Sequence, residues 1–453
     1  MNERNRATSV GLPGIPSPLS LEYIGEGSTC VVYRTPNGDI VKEFYPVIIE
    51  DTSVIMTMER PGENGRLVLI SSLPEFEKKI VEERRDAFLH AEIELISDLQ
   101  KRNVRSDDNM FLIPRIQDTT LGPCQWCNHL AGTSVSQVFN EAKAMSFQKR
   151  FIVVLPHIIR LFDEIAFYHS DLKGDGTFND CLEDVILNLD IKAENLFAIK
   201  SRNDKYVAVR NLDFGSGKYA TKLIADIQGF AGANKHLHSE ELRKKIRKKY
   251  FASSKGYYDL SPKGYINSII EDCIQNQGDI HKSKQVRDLK MLDIRAGLKT
   301  FLFALSDLPH NDFSGQERIG FINLFKEIFE DPKHEFINDS LFENYYIYSQ
   351  LYEIMARCFG SDPENRLSAT DIANRLRNIL CLIDGDIKAT RTEAQKKFVA
   401  MSKIYRSKNE LLKNHELKTI KDILNFCESN ILDICDIGSI HWFLLTGKHK
   451  NGK

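Results

Sequence analysis

The sequence predicts an α+β protein in two parts, a small β-rich lobe followed by a larger helical lobe with a helical extension. Three observations carry this. Strand-like runs and hairpin turns concentrate before about residue 130. Helix-period apolar patterns dominate afterwards. The length, 453 residues, suits two or three domain-equivalents. Hydrophobic residues at 42% and charged residues at 27% are ordinary for a folded chain and argue against wholesale disorder.

In order along the chain, residues 1–20 read as a flexible leader, with Gly11, Pro13, Gly14, Pro16 and Pro18 close together. Leu21 to Phe44 is strand-like, and Thr35-Pro36-Asn37-Gly38 between apolar runs signals a hairpin. Residues 46–85 read as an insertion, with Pro61, Gly62, Asn64 and Gly65 marking a loop. Helix is predicted over 75–100, where Phe88, Ile93, Leu95, Ile96 and Leu99 recur at helical spacing. Short strands are expected at Met110 to Ile113 and Gln125 to Leu130. The first lobe therefore spans 21–130 and the helical lobe 131–380.

Within the second lobe, Phe151 to Tyr168 predicts a buried helix that starts or kinks at Pro156. A second insertion covers 171–186. Asn195 to Ile199 and Tyr206 to Leu212 read as strands flanking a polar turn. Leu289 to Ser306 is the most apolar part of a mostly helical remainder, and 381–453 is a Lys-rich amphipathic helical extension.

Composition excludes several classes. A net charge of −2 gives no reason to expect nucleic acid as a partner. No apolar run spans a membrane, and Met1 to Ser20 lacks a signal-peptide core. This predicts a cytoplasmic location and leaves export as an effector open. Nine cysteines without repeating spacing read as reduced thiols. Cys124 and Cys127 form an isolated pair with no second ligand pair nearby, so they read as apolar fillers rather than a zinc site.

The chemistry-bearing pattern lies downstream. Asp190, Lys192 and Asn195 precede an apolar strand-like run, and Asp213-Phe214-Gly215 follows eighteen residues after Asn195. Phosphoryl transfer needs this inventory: a carboxylate for the attacking hydroxyl, a cation for the moving phosphoryl group, and an Asn and an Asp as hard oxygen ligands for Mg²⁺. Upstream, Gly25 and Gly27 occupy a strand-turn-strand that lets backbone N–H groups approach phosphate. By itself that is an ordinary hairpin turn. Lys42 alone is an ordinary surface lysine, and Glu92 an ordinary helix charge.

Together, and in this order, these residues resemble the eukaryotic-type protein kinase family over about Leu21 to Leu380. The resemblance implies a bilobal protein-kinase-like fold and ATP and Mg²⁺ as cofactors. Gly25 and Gly27 resemble the Gly-rich loop, Val32 the valine over adenine, Lys42 the third-strand lysine and Glu92 its helix partner. Trp126 to Gly132 resembles the hinge. Asp190, Lys192 and Asn195 resemble the catalytic loop, and Asp213 the metal-binding Asp. Asp293 resembles the helix Asp that anchors the catalytic-loop backbone, and Arg366 the late arginine. Lys192, two residues after Asp190, resembles the Ser/Thr pattern rather than the Tyr pattern. Lys42 to Pro46 with the insertion after it is similar to a subgroup of bacterial Ser/Thr-type kinases.

The departures are specific. Cys30 replaces the third glycine, Ile40 stands where a small residue is usual, and Asn188-Leu189 replaces His-Arg. Leu189 cannot pair with a phosphate, so activity is not expected to depend on phosphorylation of the segment between Gly215 and Ser261. No Ala-Pro-Glu-like end is found near Ser261-Pro262, which leaves the partner of Arg366 open. His169-Ser170-Asp171 looks more like the family tripeptide than Asn188 to Asp190 does, but no Asn stands five residues after Asp171. His169 therefore reads as a cap near a helix C-terminus. Arg243 to Lys249 holds six basic residues, either a solvated face or a docking surface for an acidic protein partner; the C-terminal helices are a second candidate for docking. The expected activity is transfer of the ATP γ-phosphate to Ser/Thr hydroxyls of a protein substrate. The alternatives are a nucleotide-binding pseudokinase scaffold and a small-molecule kinase on a related fold.

Overall fold

The computed structural model describes residues 9–10, 19–20, 22–26, 30–44, 47–50, 53–56, 66–68, 74–102, 115–119, 122–127, 131–170, 185–200, 206–251, 258, 264–306, 324–329, 331, 334, 336, 341–359 and 366–384. Helices and small sheets are mixed, an α+β arrangement. The chain divides into two compact units, Met1–Ala131 and Gly132–Lys453.

In the first unit, β1 (Ser9–Val10) pairs with β2 (Leu19–Ser20). Next come β3 (Glu22–Glu26), β4 (Cys30–Arg34) and β5 (Ile40–Phe44). The β4–β5 turn forms as its residues dictate. The Thr35 N–H donates to the Asp39 carbonyl at 2.8 Å, the Thr35 hydroxyl accepts from the Asp39 N–H at 3.0 Å, and Gly38 takes a φ of 89°. The 46–85 insertion carries a sheet of its own, β6 (Val47–Glu50), β7 (Ser53–Met56) and β8 (Arg66–Val68), in the order β7-β6-β8. Helix α1 (Glu75–Arg102) opens with Glu75 and Glu77 and closes with Lys101 and Arg102, matching the helix dipole. Its buried face is Glu92, Leu95, Ile96 and Leu99, at the i, i+3, i+4, i+7 spacing of one stripe. Strands β9 (Arg115–Thr119) and β10 (Gly122–Cys127) complete an antiparallel sheet ordered β3-β4-β5-β10-β9. β10 starts three residues before the expected strand, and the expected strand at 110–113 lies outside the described residues.

The second unit opens with β11 (Gly132–Ser134), α2 (Val135–Lys143) and α3 (Phe147–Tyr168). A Cβ at Gly132 would lie 2.2 Å from the Ala198 carbonyl oxygen, so only glycine allows this close strand pairing. Helix α3 starts four residues earlier than expected and runs through Pro156. The missing N–H is tolerated because almost every flanking residue, including Phe147, Phe151, Val154, Leu155 and Ile158, packs into the core.

Next come β12 (Ile186–Leu187), β13 (Leu196–Lys200), β14 (Tyr206–Asn211) and β15 (Lys218–Tyr219). They form a three-stranded sheet β11-β13-β14 and a two-stranded sheet β12-β15. Helices α4 (Ala220–Ala233), α5 (Ser239–Tyr250), α6 (Tyr265–Gln275), α7 (Asp279–Leu305), α8 (Leu341–Phe359) and α9 (Ala369–Asp384) follow. The core sits around α3 and α7, where Gly297 lets Phe162 and Ile165 approach. Arg150, buried, donates to the Leu305 carbonyl at 2.8 Å and the Lys143 carbonyl at 2.7 Å, satisfying the C-terminal ends of α7 and α2 together. Among the described residues no helix is long and apolar enough to cross a membrane.

Candidate functional site

In the first unit the sheet register places Gly25, Val32 and Lys42 on neighbouring strands. Val32 pairs with Lys42 across β4–β5, and Gly25 pairs with Val32 across β3–β4 beside an irregularity at Tyr23 to Gly25. Lys42 Nζ lies 3.9 Å from Glu92 Oε1, with Glu92 only 3% exposed. The Lys42 cation offsets the desolvation of a carboxylate that deep, so the strand and helix are joined by charge. Ile40 starts β5 opposite Arg34 and Cys127. Gly27 lies outside the described residues.

In the second unit the residues 188–191 form an irregular loop between β12 and the short 3₁₀ turn Ala193–Asn195. Leu189 takes a φ of 61°, a left-handed conformation that costs a leucine free energy and persists only when its surroundings hold it. The holding is explicit. Buried Asp293 of α7 accepts the Asn188 N–H at 2.7 Å on Oδ2 and the Leu189 N–H at 2.9 Å on Oδ1. The Asp190 N–H donates to Asn188 Oδ1 at 3.0 Å, and the Ile191 N–H to the Tyr258 hydroxyl at 3.1 Å. Four successive backbone donors are all taken by side chains.

The loop presents Asp190 with Lys192 Nζ at 3.0 Å and Asn195 Nδ2 at 2.8 Å, both on Oδ2. Asn195 Nδ2 also donates to the Asp190 carbonyl at 2.9 Å. These bonds fix the carboxylate plane and commit the Asn195 amide nitrogen to Asp190, which turns its oxygen elsewhere. The Asp213 loop is tied to the same framework. Leu212 N–H donates to the Asn195 carbonyl at 2.9 Å, and Asn188 Nδ2 to the Asp213 carbonyl at 3.1 Å. Asn211 Oδ1 accepts from the Asp213 N–H at 2.8 Å, and Asp213 Oδ1 from the Gly215 N–H at 3.0 Å. Asp190, Lys192, Asn195 and Asp213 thus belong to one hydrogen-bonded group. Phe214 is buried, its ring edge-on to Tyr168 at 5.0 Å. Tyr168 in turn joins Glu164 and Arg210, a buried network behind the loop in which burial pushes the Glu164 carboxyl up.

Among the described residues no group of three or more His, Cys, Asp or Glu could hold a metal ion alone. The donors present are the Asp213 carboxylate and the Asn195 amide oxygen. They are hard oxygens, and two of them suit Mg²⁺, which takes few protein ligands and completes its shell with phosphates and water. The donor type of these two side chains is the one that Mg²⁺ takes.

Several contributions are invisible to motif reading. His169 is the C-cap of α3 through its backbone, but its ring turns inward, Nε2 lying 3.3 Å from Asp293 Oδ2. Arg366 has its partner on α7: it bonds Asp288, and the Tyr265 hydroxyl at 2.7 Å. Asn188 departs from the family pattern together with Leu189, yet it ties Asp190 to Asp213. A signal existed, since Asn188-Leu189-Asp190 and Asn211-Leu212-Asp213 repeat one tripeptide, and an Asn oxygen readily caps the N–H two residues on. In the basic run, Arg243 pairs with Glu271, Lys245 with Glu241 and Arg247 with Asn267, while Lys244 and Lys248 are exposed. Asp171, the residues 362–365, the segment 385–453 and the side chains of Cys124 and Cys127 lie outside the described residues.

Compared with protein-family models and with curated proteins, the chain gives no match.

Proposed function

We infer that the chain is a protein kinase of bilobal protein-kinase-like fold, transferring the ATP γ-phosphate to Ser/Thr hydroxyls of a protein substrate. The observation that carries this reading is the convergence of Lys192 and Asn195 on Asp190 Oδ2, within a loop bonded directly to the Asp213 loop. An isolated carboxylate would need no such framework. A carboxylate that must accept a proton from a hydroxyl attacking in line does, because misplacement by about 1 Å costs orders of magnitude in rate.

In this reading Asp190 orients the substrate hydroxyl and takes its proton. Lys192, already beside Asp190, neutralises charge on the transferring group. Asn195 and Asp213 hold Mg²⁺, which supplies charge neutralisation at the phosphates when bound. The first unit supplies the grip on the nucleotide: Lys42, oriented by Glu92, on the phosphates; Gly25 and Gly27 over them; Val32 against adenine. Asp293 positions the loop, and Arg366 braces the helices that carry it. A cytoplasmic setting supplies ATP and Mg²⁺, and the exposed lysines of 243–249 or the C-terminal extension offer a docking surface for the protein substrate.

The test is ATP turnover with Mg²⁺ by the purified chain, with mass spectrometry of the phosphosites formed. Asp190→Asn should lower the initial rate by about 10²- to 10⁴-fold, leaving the thermal melt and nucleotide titration near wild type. A wild-type chain that binds nucleotide but phosphorylates nothing in a broad protein and peptide panel would sink the reading.

A further inference from the structure

One donor on the 188–191 loop is held from a place that none of the motifs includes. The Ile191 N–H donates at 3.1 Å to the hydroxyl of Tyr258, and that hydroxyl donates at 3.3 Å to Asp293 Oδ1. A phenol has one O–H to give and lone pairs to receive, so both bonds form at once. The hydroxyl thereby extends the reach of Asp293 from the Asn188 and Leu189 N–H groups to the Ile191 N–H. Asp190 sits between the residues so held.

Tyr258 is 5% exposed and belongs to the stretch between α5 and α6, sixty-seven residues beyond Ile191. It is the chain that follows the Asp213 loop, not the loop itself, that closes the relay. Burial first, then the charge of Asp293, pushes the phenol well above its ordinary range, so it stays the neutral donor the relay needs. Leu189, in the position where an arginine would read a phosphate, is buried and apolar. Among the described residues, the downstream segment therefore reaches the 188–191 loop through a neutral hydroxyl, and Leu189 offers no guanidinium for a phosphate.

We propose that Tyr258 is a positioning residue for Asp190, a latch through which the segment following the Asp213 loop sets the geometry of the 188–191 loop without phosphorylation. Its effect on rate rests on the kinase reading; its effect on the loop does not. Withdrawal of Tyr258 leaves the Ile191 N–H and one Asp293 lone pair without this partner and lets the strained Leu189 backbone relax. Nucleotide binding is not addressed by this bond, so the loss falls on kcat rather than on KM for ATP.

The experiment compares the full chain with Tyr258→Phe, which keeps the ring and removes the hydroxyl. Residue-resolved hydrogen exchange follows the Ile191 amide, with the amides of Phe162 and Ile165 inside α3 as the reference for global opening. Exchange at Ile191 should quicken by about 10- to 100-fold, the size expected for one buried hydrogen bond. The α3 amides should stay protected. Turnover should fall by a comparable factor, with KM for ATP changing less than about twofold, and phosphatase treatment of the wild type should leave its rate in place. Unchanged exchange at Ile191 overturns the proposal. So does quickened exchange at Ile191 and α3 together, which would assign the hydroxyl to the fold rather than the loop. Selective exposure of Ile191 with full turnover overturns the coupling to Asp190. A wild type inert toward protein substrates, in which Tyr258→Phe still exposes Ile191 selectively, would remove the kinase reading and leave the latch standing.

Discussion

At Lys42 the interplay of two charges decides what a single substitution does. Its Nζ stands 3.9 Å from Glu92, and the two side chains are 16% and 3% exposed. Lys42→Met removes a cation from a nearly buried carboxylate and, in the proposed reading, from the nucleotide phosphates. Two losses follow. The melt should drop, since an ion pair this deep is costly to break from one side. Turnover should fall by about 10²-fold or more, the scale of losing one preorganised charge from a phosphoryl-transfer site. Glu92→Gln separates the two: it keeps the shape, removes the more deeply buried charge and leaves the less buried Lys42 cation, and should weaken turnover more than stability. Wild-type turnover in Lys42→Met would remove Lys42 from the site. The same local logic governs Leu189, whose φ of 61° is held by the Asp293 bonds to its own N–H and to the N–H before it.

At the scale of elements, legibility follows the range of the forces involved. The β4–β5 hairpin can be read from Thr35 to Gly38 because its bonds run within five residues. Strands β13 and β14 are legible for the same reason, since they pair antiparallel across a short stretch of chain. The 188–195 loop is legible as an ordered set of residue types because Lys192 and Asn195 both touch Asp190 directly. What the sequence hides is contact at long separation. The Asp288 partner of Arg366 lies seventy-eight residues away, and the Tyr258 partner of Ile191 sixty-seven. Pro156 misleads in the other direction as a helix start, since α3 begins at Phe147 and burial on both sides of the proline offsets its missing bond.

The Arg366 contact yields a prediction at this scale. Arg366 joins Asp288 on α7 and Tyr265 on α6, and Arg295 stacks over the same Tyr265 ring at 3.7 Å. Arg366 and Asp288 are about one-tenth exposed, 10% and 9%. Asp288→Leu alone should cost about 3 to 5 kcal/mol, because it strands a guanidinium among helices. Asp288→Leu with Arg366→Met should recover a large part of that, since neither member of the pair is then left buried without the other. Chemical denaturation of the four chains measures the coupling. Additive single and double effects would mean the contact contributes no coupling between these helices.

For the whole molecule, one buried ring contributes a pH-dependent part of stability with a definite sign. His157 sits on α3, 4% exposed, with its ring edge-on to Tyr206 at 4.8 Å and near Phe139 at 6.5 Å. Its Nδ1 is buried without a hydrogen-bond partner among the described residues. Burial, reinforced by the nearby Arg160 charge, pushes its pKa down to about 4. In the unfolded chain an ordinary histidine titrates near 6.5. Between those values the unfolded state holds a proton that the folded state refuses, so stability falls as pH drops from about 6.5 to about 4, and this contribution is flat above 6.5. The depth is about 3 kcal/mol if the full shift applies. His157→Phe keeps an aromatic ring against Tyr206 and Phe139 and has no proton to take up. Denaturant midpoints at pH 7.5 and pH 4.5 should therefore converge for His157→Phe more than for the wild type, with the difference between the two chains opening only below about pH 6.5. Parallel curves for the two chains across that window would show that His157 is protonated as easily in the fold as out of it, and that α3 bears the charge in some other way.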